Sequence, residues 1–511
     1  MRPEIESRIR RALHQPVDGA GLGLFRLLWG LLMCAEVNWL HNQLHDMHQP
    51  DVVHFYYQGF SWIRHFPERW MMEIECVVML LSAVLMAAGF WFRAATVVFT
   101  ITYAHFFFSQ AITYNNHFYL IILVAFLLAF TKADERFSIV ARVRAGRGMA
   151  PRPIPLWNYQ IIRLQVVIVY LYGAIAKIDH DWLVEMEPVR FWLEHSPYPS
   201  EFLSRLIRQD WFVPLTAWGG FLIDLICPVL LLIRRTRPFA ILILVSFHGL
   251  NSQIFNIGYF PLIGVLLIFP FLHPSLWRWR EVSSSGDEEG KGEGGLPRKL
   301  IPAGIPGKIL VVFFVFQLLF PLRWHLWRPA NPLWTDKGQR FAWRMMLREK
   351  IADLHICFAD PEVRKWLETR PGVLPVVSPS SRYSLGQNPY HIWQYVQEIK
   401  RALEPYGKGD TPIHVLATCS LNGRPYHPLI DPNVDLAKAD CPFFRIPSWI
   451  VPLPDELKVD YDQIQPISQK QAFSEQAMRA WVEKNPGPAT KLLEEYRRPV
   501  VTETPLSDQR P

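Results

Sequence analysis

The stretch "YLYGAIAKIDHDW", Tyr170 to Trp182, ends an apolar run with a single lysine, Lys177, followed by an Asp-His-Asp cluster. Two readings of that lysine are open. A lysine at the edge of a hydrophobic helix snorkels, with its stem in the apolar phase and its ammonium in water. Alternatively, an amine held partly out of water has its charged form disfavoured and can act as a general base. Asp179 opposes that effect if it pairs with the lysine directly. Three further clusters set polar groups in apolar runs: "TYNNHFYL" with Asn115, Asn116 and His117, "SFHGLNSQIFNIGYF" with His248, Asn251, Gln253 and Asn256, and "RLQ" with Arg163 and Gln165. Each such group costs free energy in a bilayer unless it is paired or faces a cavity. His248 and Asn251 are three apart and share a helical face. Singly, these residues read as helix-terminus hydrogen-bonding groups. Two His, one Lys and several Asn in one membrane layer instead suit an apolar, redox-active ligand arriving from the bilayer.

The elements that must position these residues are membrane helices. Of 511 residues, 50% are hydrophobic and only 19% charged, a composition that suits a membrane protein with a soluble appendage. A helical span takes roughly 20 apolar residues. About nine runs qualify, centred near Leu31, Leu81, Ile101, Val124, Val169, Leu222, Leu244, Leu266 and Phe314. With "MRPEIESRIRR" placed inside, the inside loops contain "TKADERFSIVARVRAGRGMAPRP", "IRRTRP" and Arg278 to Lys308, the most basic short connections in the chain. His117 then begins the fourth span and Lys177 ends the fifth, both at the outer face. No cleavable signal peptide is expected, because the first apolar run starts behind a charged amphipathic lead.

The predicted organisation is a membrane domain over 1–280, a Ser/Gly/Glu-rich disordered linker over 281–307, a last span over 308–326, an outer α+β domain over 327–455 and a charged tail over 456–511. Within the outer domain, "PIHVLATCSLNGRPYHPLI" reads as two β segments around an Asn-Gly turn, hence an antiparallel sheet, with an amphipathic helix before it near Tyr390 to Leu403. The net charge of +7 is accounted for by the inner loops, and no nucleic-acid-binding motif is present. Six cysteines without a CxxC pair argue against a metal cage, and one disulfide in the outer domain stays open. No P-loop, HExxH, Gly-x-Ser-x-Gly or dinucleotide-binding fingerprint occurs, so hydrolase, ATPase and nicotinamide-enzyme readings lack support.

The stretches "FRLLWGLLM", "NNHFYLIILVAF", "IPLWNYQIIRLQVVIVYLYGAIAKIDHDW", "FHGLNSQIFNIGYF", "WTDKGQRFAWRMMLREK" and "IDPNVDLAKADCPFFRIPSW" together resemble the vitamin K-dependent gamma-glutamyl carboxylase family, whose membrane part is the HTTM domain. The resemblance runs from about residue 20 to 455. It implies a coupled reaction with vitamin K hydroquinone, or menaquinol, O2 and CO2 as cosubstrates and no metal. In that reaction Lys177 acts as base on the quinol, oxygen chemistry supplies a far stronger base, and a glutamate of a protein or peptide substrate becomes γ-carboxyglutamate. His117 and Asn116 then assist the carboxylation step, His248, Asn251 and Tyr170 match the quinone pocket, and Trp343, Met345 and Met346 match the segment that contacts glutamate and quinone. For the two methionines ordinary core packing is the rival reading. Where animal members have two adjacent lysines this chain has Ala176-Lys177, it lacks their inter-domain cysteine bridge, and it contains no Asn-x-Ser/Thr sequon. Those departures imply a bacterial relative in the cell (inner) membrane, and the basic inner loops place its N-terminus in the cytoplasm and its C-terminal domain outside. Two rival functions remain: a quinol epoxidase that has lost carboxylation, and a non-catalytic membrane protein whose outer domain binds partners.

Overall fold

The structure, a computed structural model, describes residues 3–195, 201–255, 257–272, 305–326, 330–459 and 470–495. Asn256 and most of the expected linker lie outside them. The amino-terminal half runs α1 (Pro3–His14), β1 (Pro16–Val17), α2 (Ala20–Leu44), α3 (Arg69–Ala88), α4 (Phe92–Ser109), α5 (Asn116–Ala129), α6 (Ile139–Gly146), β2 (Ile154–Pro155), α7 (Trp157–Lys177), α8 (His180–Leu183), α9 (Val189–His195), α10 (Glu201–Ile207), α11 (Phe212–Leu232), α12 (Arg237–Ile254) and α13 (Phe260–Leu266). After α14 (Ile305–Leu326) come α15 (Pro332–Thr335), β3 (Lys350–Phe358), α16 (Pro361–Glu368), α17 (Pro379–Gln387), α18 (Pro389–Leu403), β4 (Ile413–Leu421), β5 (His427–Pro428), α19 (Lys470–Lys484) and α20 (Pro488–Glu495).

All nine apolar centres fall in helices, but among the described residues five helices are long and apolar enough to cross a membrane: α2, α3, α7, α11 and α14. The expected nine exceeds that number for two reasons. α4 and α12 reach 18 residues but carry Arg93, His105, Arg237 and several hydroxyl and amide side chains, while α5 and α13 have only 14 and 7 residues, short of the roughly 20 that a crossing takes. Within α14 the stretch apolar enough to cross runs from Pro306 to Arg323.

Small residues and one cation knit the first helices together. A Cβ on Gly30 would lie 2.6 Å from Ala87 backbone, so the missing side chain lets α2 and α3 touch. Fully buried Arg26 donates to the carbonyls of Met86 and Ala87 at the end of α3, and to Ala133 and Phe137 beyond α5. Its guanidinium satisfies the carbonyls that a helix end leaves without partners.

The carboxy-terminal domain is built on a three-stranded antiparallel sheet of order β3-β4-β5, with β3 and β4 in register from Lys350↔Leu421 to Phe358↔Ile413. Every residue of β4 is buried because both faces are covered. Val415, Ala417, Cys419 and Leu421 face the main core, and alternate residues Leu416 and Thr418 meet Met478 and Ser474 of α19. Asn422 and Gly423 follow β4 with φ of 49° and 76°, the left-handed pair that an Asn-Gly hairpin turn requires. The amphipathic helix is α18, capped by Asn388. All six cysteines are free.

Candidate active site between the bundle and the carboxy-terminal domain

Lys177 does not snorkel. It is 7% exposed, and its Nζ donates to Asp224 Oδ2 at 2.6 Å, a carboxylate of α11 that is 5% exposed. The ammonium also lies 5.2 Å from the centroid of Trp182, whose indole N–H is held by the Ala217 carbonyl. Asp224 is the site residue that the sequence reading lacks. Its signal was a lone carboxylate in "GGFLIDLICPV", the kind of group that stays in an apolar helix only with a partner.

The Asp-His-Asp cluster beyond Lys177 divides its labour. Asp179 does not pair with the lysine. It accepts the Asp181 N–H at 3.0 Å and caps α8. His180 is mostly exposed. Buried Asp181 reaches the carboxy-terminal domain, accepting two hydrogen bonds from Arg424 at 2.7 and 2.6 Å and one from Asn422 at 2.9 Å. The turn after β4 is thereby fixed above the end of α7.

Tyr170, Gly173 and Lys177 share one face of α7 through their spacing. A Cβ on Gly173 would sit 2.9 Å from Asp224 Oδ2 and 3.5 Å from Met345 Cε, so the glycine makes room for the carboxylate and brings the Met345 methyl beside the ion pair. The Tyr170 hydroxyl and His248 Nε2 are 2.8 Å apart. The Phe260 ring stands 6.1 Å from that of His248 and 6.0 Å from that of His117, so the two histidines flank one aromatic ring. His117 is buried in the first turn of α5, where Asn115 caps its backbone N–H. Asn251, one turn beyond His248 on α12, is half-buried at the edge of this group.

The segment 336–350 reaches into the bundle. Asn116 Nδ2 donates to the Arg344 carbonyl at 3.2 Å, and the Tyr114 hydroxyl accepts from Phe341 N while donating to Asn116. Phe341, Trp343 and Met346 all have φ near 55°, namely 58°, 56° and 52°. Non-glycine residues held in the left-handed region cost on the order of 1–3 kcal/mol each and persist where the surroundings enforce them. Here the enforcement is visible at the base of the loop. Asp336 binds Arg348 at 2.7 Å and Lys350 at 3.1 Å, and Lys350 also donates to the carbonyls of Trp334 and Gln387. Burial pushes the Asp336 carboxyl up, but the two cations outweigh burial and hold it at about 2. Burial likewise pushes the Lys350 ammonium below its usual range.

Trp343 is fully buried against Tyr119, with ring centroids 5.1 Å apart, and among the described residues neither its indole N–H nor His248 Nδ1 has a hydrogen-bond partner. Met346 stands at the rim, 37% exposed. Buried polar atoms without partners are uncommon. The structure thus gathers Lys177, Tyr170, His248, His117, Asn116, Met345 and Trp343 around the junction, and leaves Asn251 and Met346 at its edges.

Residues 14–277 match the family model of the HTTM domain, and residues 305–456 match that of the vitamin K-dependent gamma-carboxylase lumenal domain. The two matches divide the chain where α13 gives way to α14. No solved structure matches the chain.

Proposed function

Because the chain belongs to the vitamin K-dependent gamma-glutamyl carboxylase family, we propose that it is an integral-membrane enzyme that couples oxidation of a vitamin K-type hydroquinone to its epoxide with carboxylation of peptide glutamate. The observation that carries this reading is the buried Lys177–Asp224 pair beneath the docked carboxy-terminal domain. A glutamate γ-hydrogen is too weakly acidic for any side-chain base. The hydroquinone, reacting with O2, supplies the strong base that the protein itself lacks.

The residues have separate tasks. A proton passed from the Lys177 ammonium to Asp224 across their 2.6 Å hydrogen bond leaves a neutral amine, which takes the proton of a quinol hydroxyl. Tyr170 and His248 orient the ring, and His248 Nδ1 and the Trp343 indole N–H offer it hydrogen bonds. Met345 and Met346 wall the pocket. His117 and Asn116, at the start of α5, serve the carbanion and its capture of CO2. The buried setting keeps water from quenching the base. Menaquinol, with the same naphthoquinone head, is the natural quinol for a bacterial member. The basic loops orient the amino terminus to the cytoplasm and the carboxy-terminal domain outside the cell membrane.

The test uses purified protein in lipid nanodiscs with reduced vitamin K, O2, labelled bicarbonate and a glutamate-containing peptide. Epoxide and peptide label are measured in one tube. Both products are expected, and both disappear in Lys177→Ala, whereas His117→Ala spares epoxide more than label. Epoxide without label from any glutamate peptide identifies a quinol epoxidase instead. Neither product from folded protein defeats the reading.

A further inference from the structure

Away from this site, α2 and α3 bring together a second group of side chains capable of chemistry. His41, in the last turn of α2, and His45, its C-cap with helical backbone, are four apart and share one face, and Glu73 comes from the start of α3. His45 Nε2 is 2.8 Å from Glu73 Oε1, and His41 Nδ1 is 3.7 Å from Glu73 Oε2. One donor atom from each residue lies within 4.8 Å of the other two, and this is the one such His, Cys, Asp and Glu group among the described residues. His41 Nδ1 is enclosed yet has no hydrogen-bond partner among the described residues. The Gln49 amide nitrogen lies 2.6 Å from His45 Nδ1 and 3.0 Å from its Nε2; turning the amide so that its oxygen accepts from Nδ1–H frees Nε2 for an ion and supplies the outer contact that orients a metal-binding histidine.

From this geometry we propose a structural site for a divalent transition metal, Zn2+ first, held by His41 Nδ1, His45 Nε2 and a Glu73 oxygen, with water as fourth ligand. A tetrahedral ion with ligands about 2.1 Å away needs donor separations of roughly 3.4 Å. The two histidine–carboxylate separations, 2.8 Å to Glu73 Oε1 and 3.7 Å to Glu73 Oε2, lie on either side of that value, and a small rotation of the carboxylate presents one oxygen to both histidines. Two imidazoles with one carboxylate suit Zn2+, Ni2+ or Cu2+, whereas Mg2+ and Ca2+ demand oxygen-only shells. Arg69, 3.9 Å from Glu73, is 68% exposed and can turn into solvent as the ion enters. The bound ion ties the end of α2 to the start of α3 across residues 45–68, and it stands apart from Lys177 and its chemistry.

The test is isothermal titration of the full-length, EDTA-stripped protein in detergent with ZnCl2, then with CoCl2 read by visible absorption. One Zn2+ per chain is expected, and Co2+ should give the intense bands of a four-coordinate ion. His41→Ala/His45→Ala should abolish binding. Glu73→Gln, which keeps the packing, should weaken it by at least about tenfold, since even outer-contact losses cost roughly 10–100-fold. If the double variant does not fold, His45→Gln carries the same prediction. No saturable binding by the wild type, or full stoichiometry in the folded double variant, overturns the site and leaves the three residues as an ion-pair cluster.

Discussion

The Lys177–Asp224 pair sets a quantitative test. At 2.6 Å and an effective dielectric of about 20, the attraction between unit charges is roughly 6 kcal/mol. Most of this offsets the desolvation of two groups whose side chains retain only 9% and 7% of their exposure. Removing one partner leaves the other buried without compensation, a loss of about 3–5 kcal/mol. Lys177→Met and Asp224→Asn should each fall near the lower figure, about 3 kcal/mol, because the orphaned group can shed its charge by gaining or losing a proton. That is more than a hundredfold in the unfolding equilibrium. The double variant has no stranded charge, so it should be no less stable than either single one, with a coupling of at least about 3 kcal/mol. Reversible unfolding in mixed micelles by SDS titration measures all four corners of the cycle. A coupling below about 0.5 kcal/mol, as for an exposed pair, would refute the buried contact and with it the proton path from lysine to carboxylate. In the epoxide assay both single variants should be inactive.

Two other perturbations address the carboxy-terminal domain. Arg424→Gln removes the paired contact with Asp181 and should cost about 2–4 kcal/mol, seen as faster hydrogen exchange in α8 and at the β4 turn while the core of α7 stays protected; unchanged exchange at both would show that the contact does not hold the domains together. Asp336, held at about 2 against an ordinary 3.8, should add roughly 2 kcal/mol of stability that is present above the ordinary value and lost as pH falls through about 2. Tryptophan fluorescence of wild type and Asp336→Asn between pH 5 and pH 2, ranges set by those two values, should show the acid-linked loss in the wild type alone.

How much of this was legible depends on whether a residue announces itself or needs its partner. Lys177, His117 and His248 stand out because ionisable groups are rare in apolar runs, and the structure places all three at the junction. Asp224 is the same kind of group, but it stands alone in its run and its partner is 47 positions away, a relation that no spacing rule encodes. Whether Asp179 pairs with Lys177 was open in the sequence, and the structure gives Asp179 a nearer task, capping α8. Apolar centres located the helices but not their lengths: α5 begins at an Asn115 cap and stops at Ala129, too early for a full crossing. Strand β4 was readable from its β-prone segment and the Asn-Gly turn that follows it. Its neighbour β3, "KIADLHICF", was not, because Lys350 and Asp353 break the alternation, and both find partners only in the fold: Asp336 for the first, His355 and Ser474 for the second.

The Asp181–Arg424 contact has a consequence for biogenesis. It joins positions 243 apart, whereas the Lys177–Asp224 pair spans 47. A chain emerging from the ribosome can therefore close the lysine pair while more than half of its length is still unmade, but it cannot cover that pair until β4 and its turn have been translated. Contacts between distant positions form late because their loop-closure cost comes first. The reactive lysine is thus built early and sealed last, so a nascent or truncated chain would present the bundle to the bilayer without its cover, and quality control has a distinct half-finished surface to recognise.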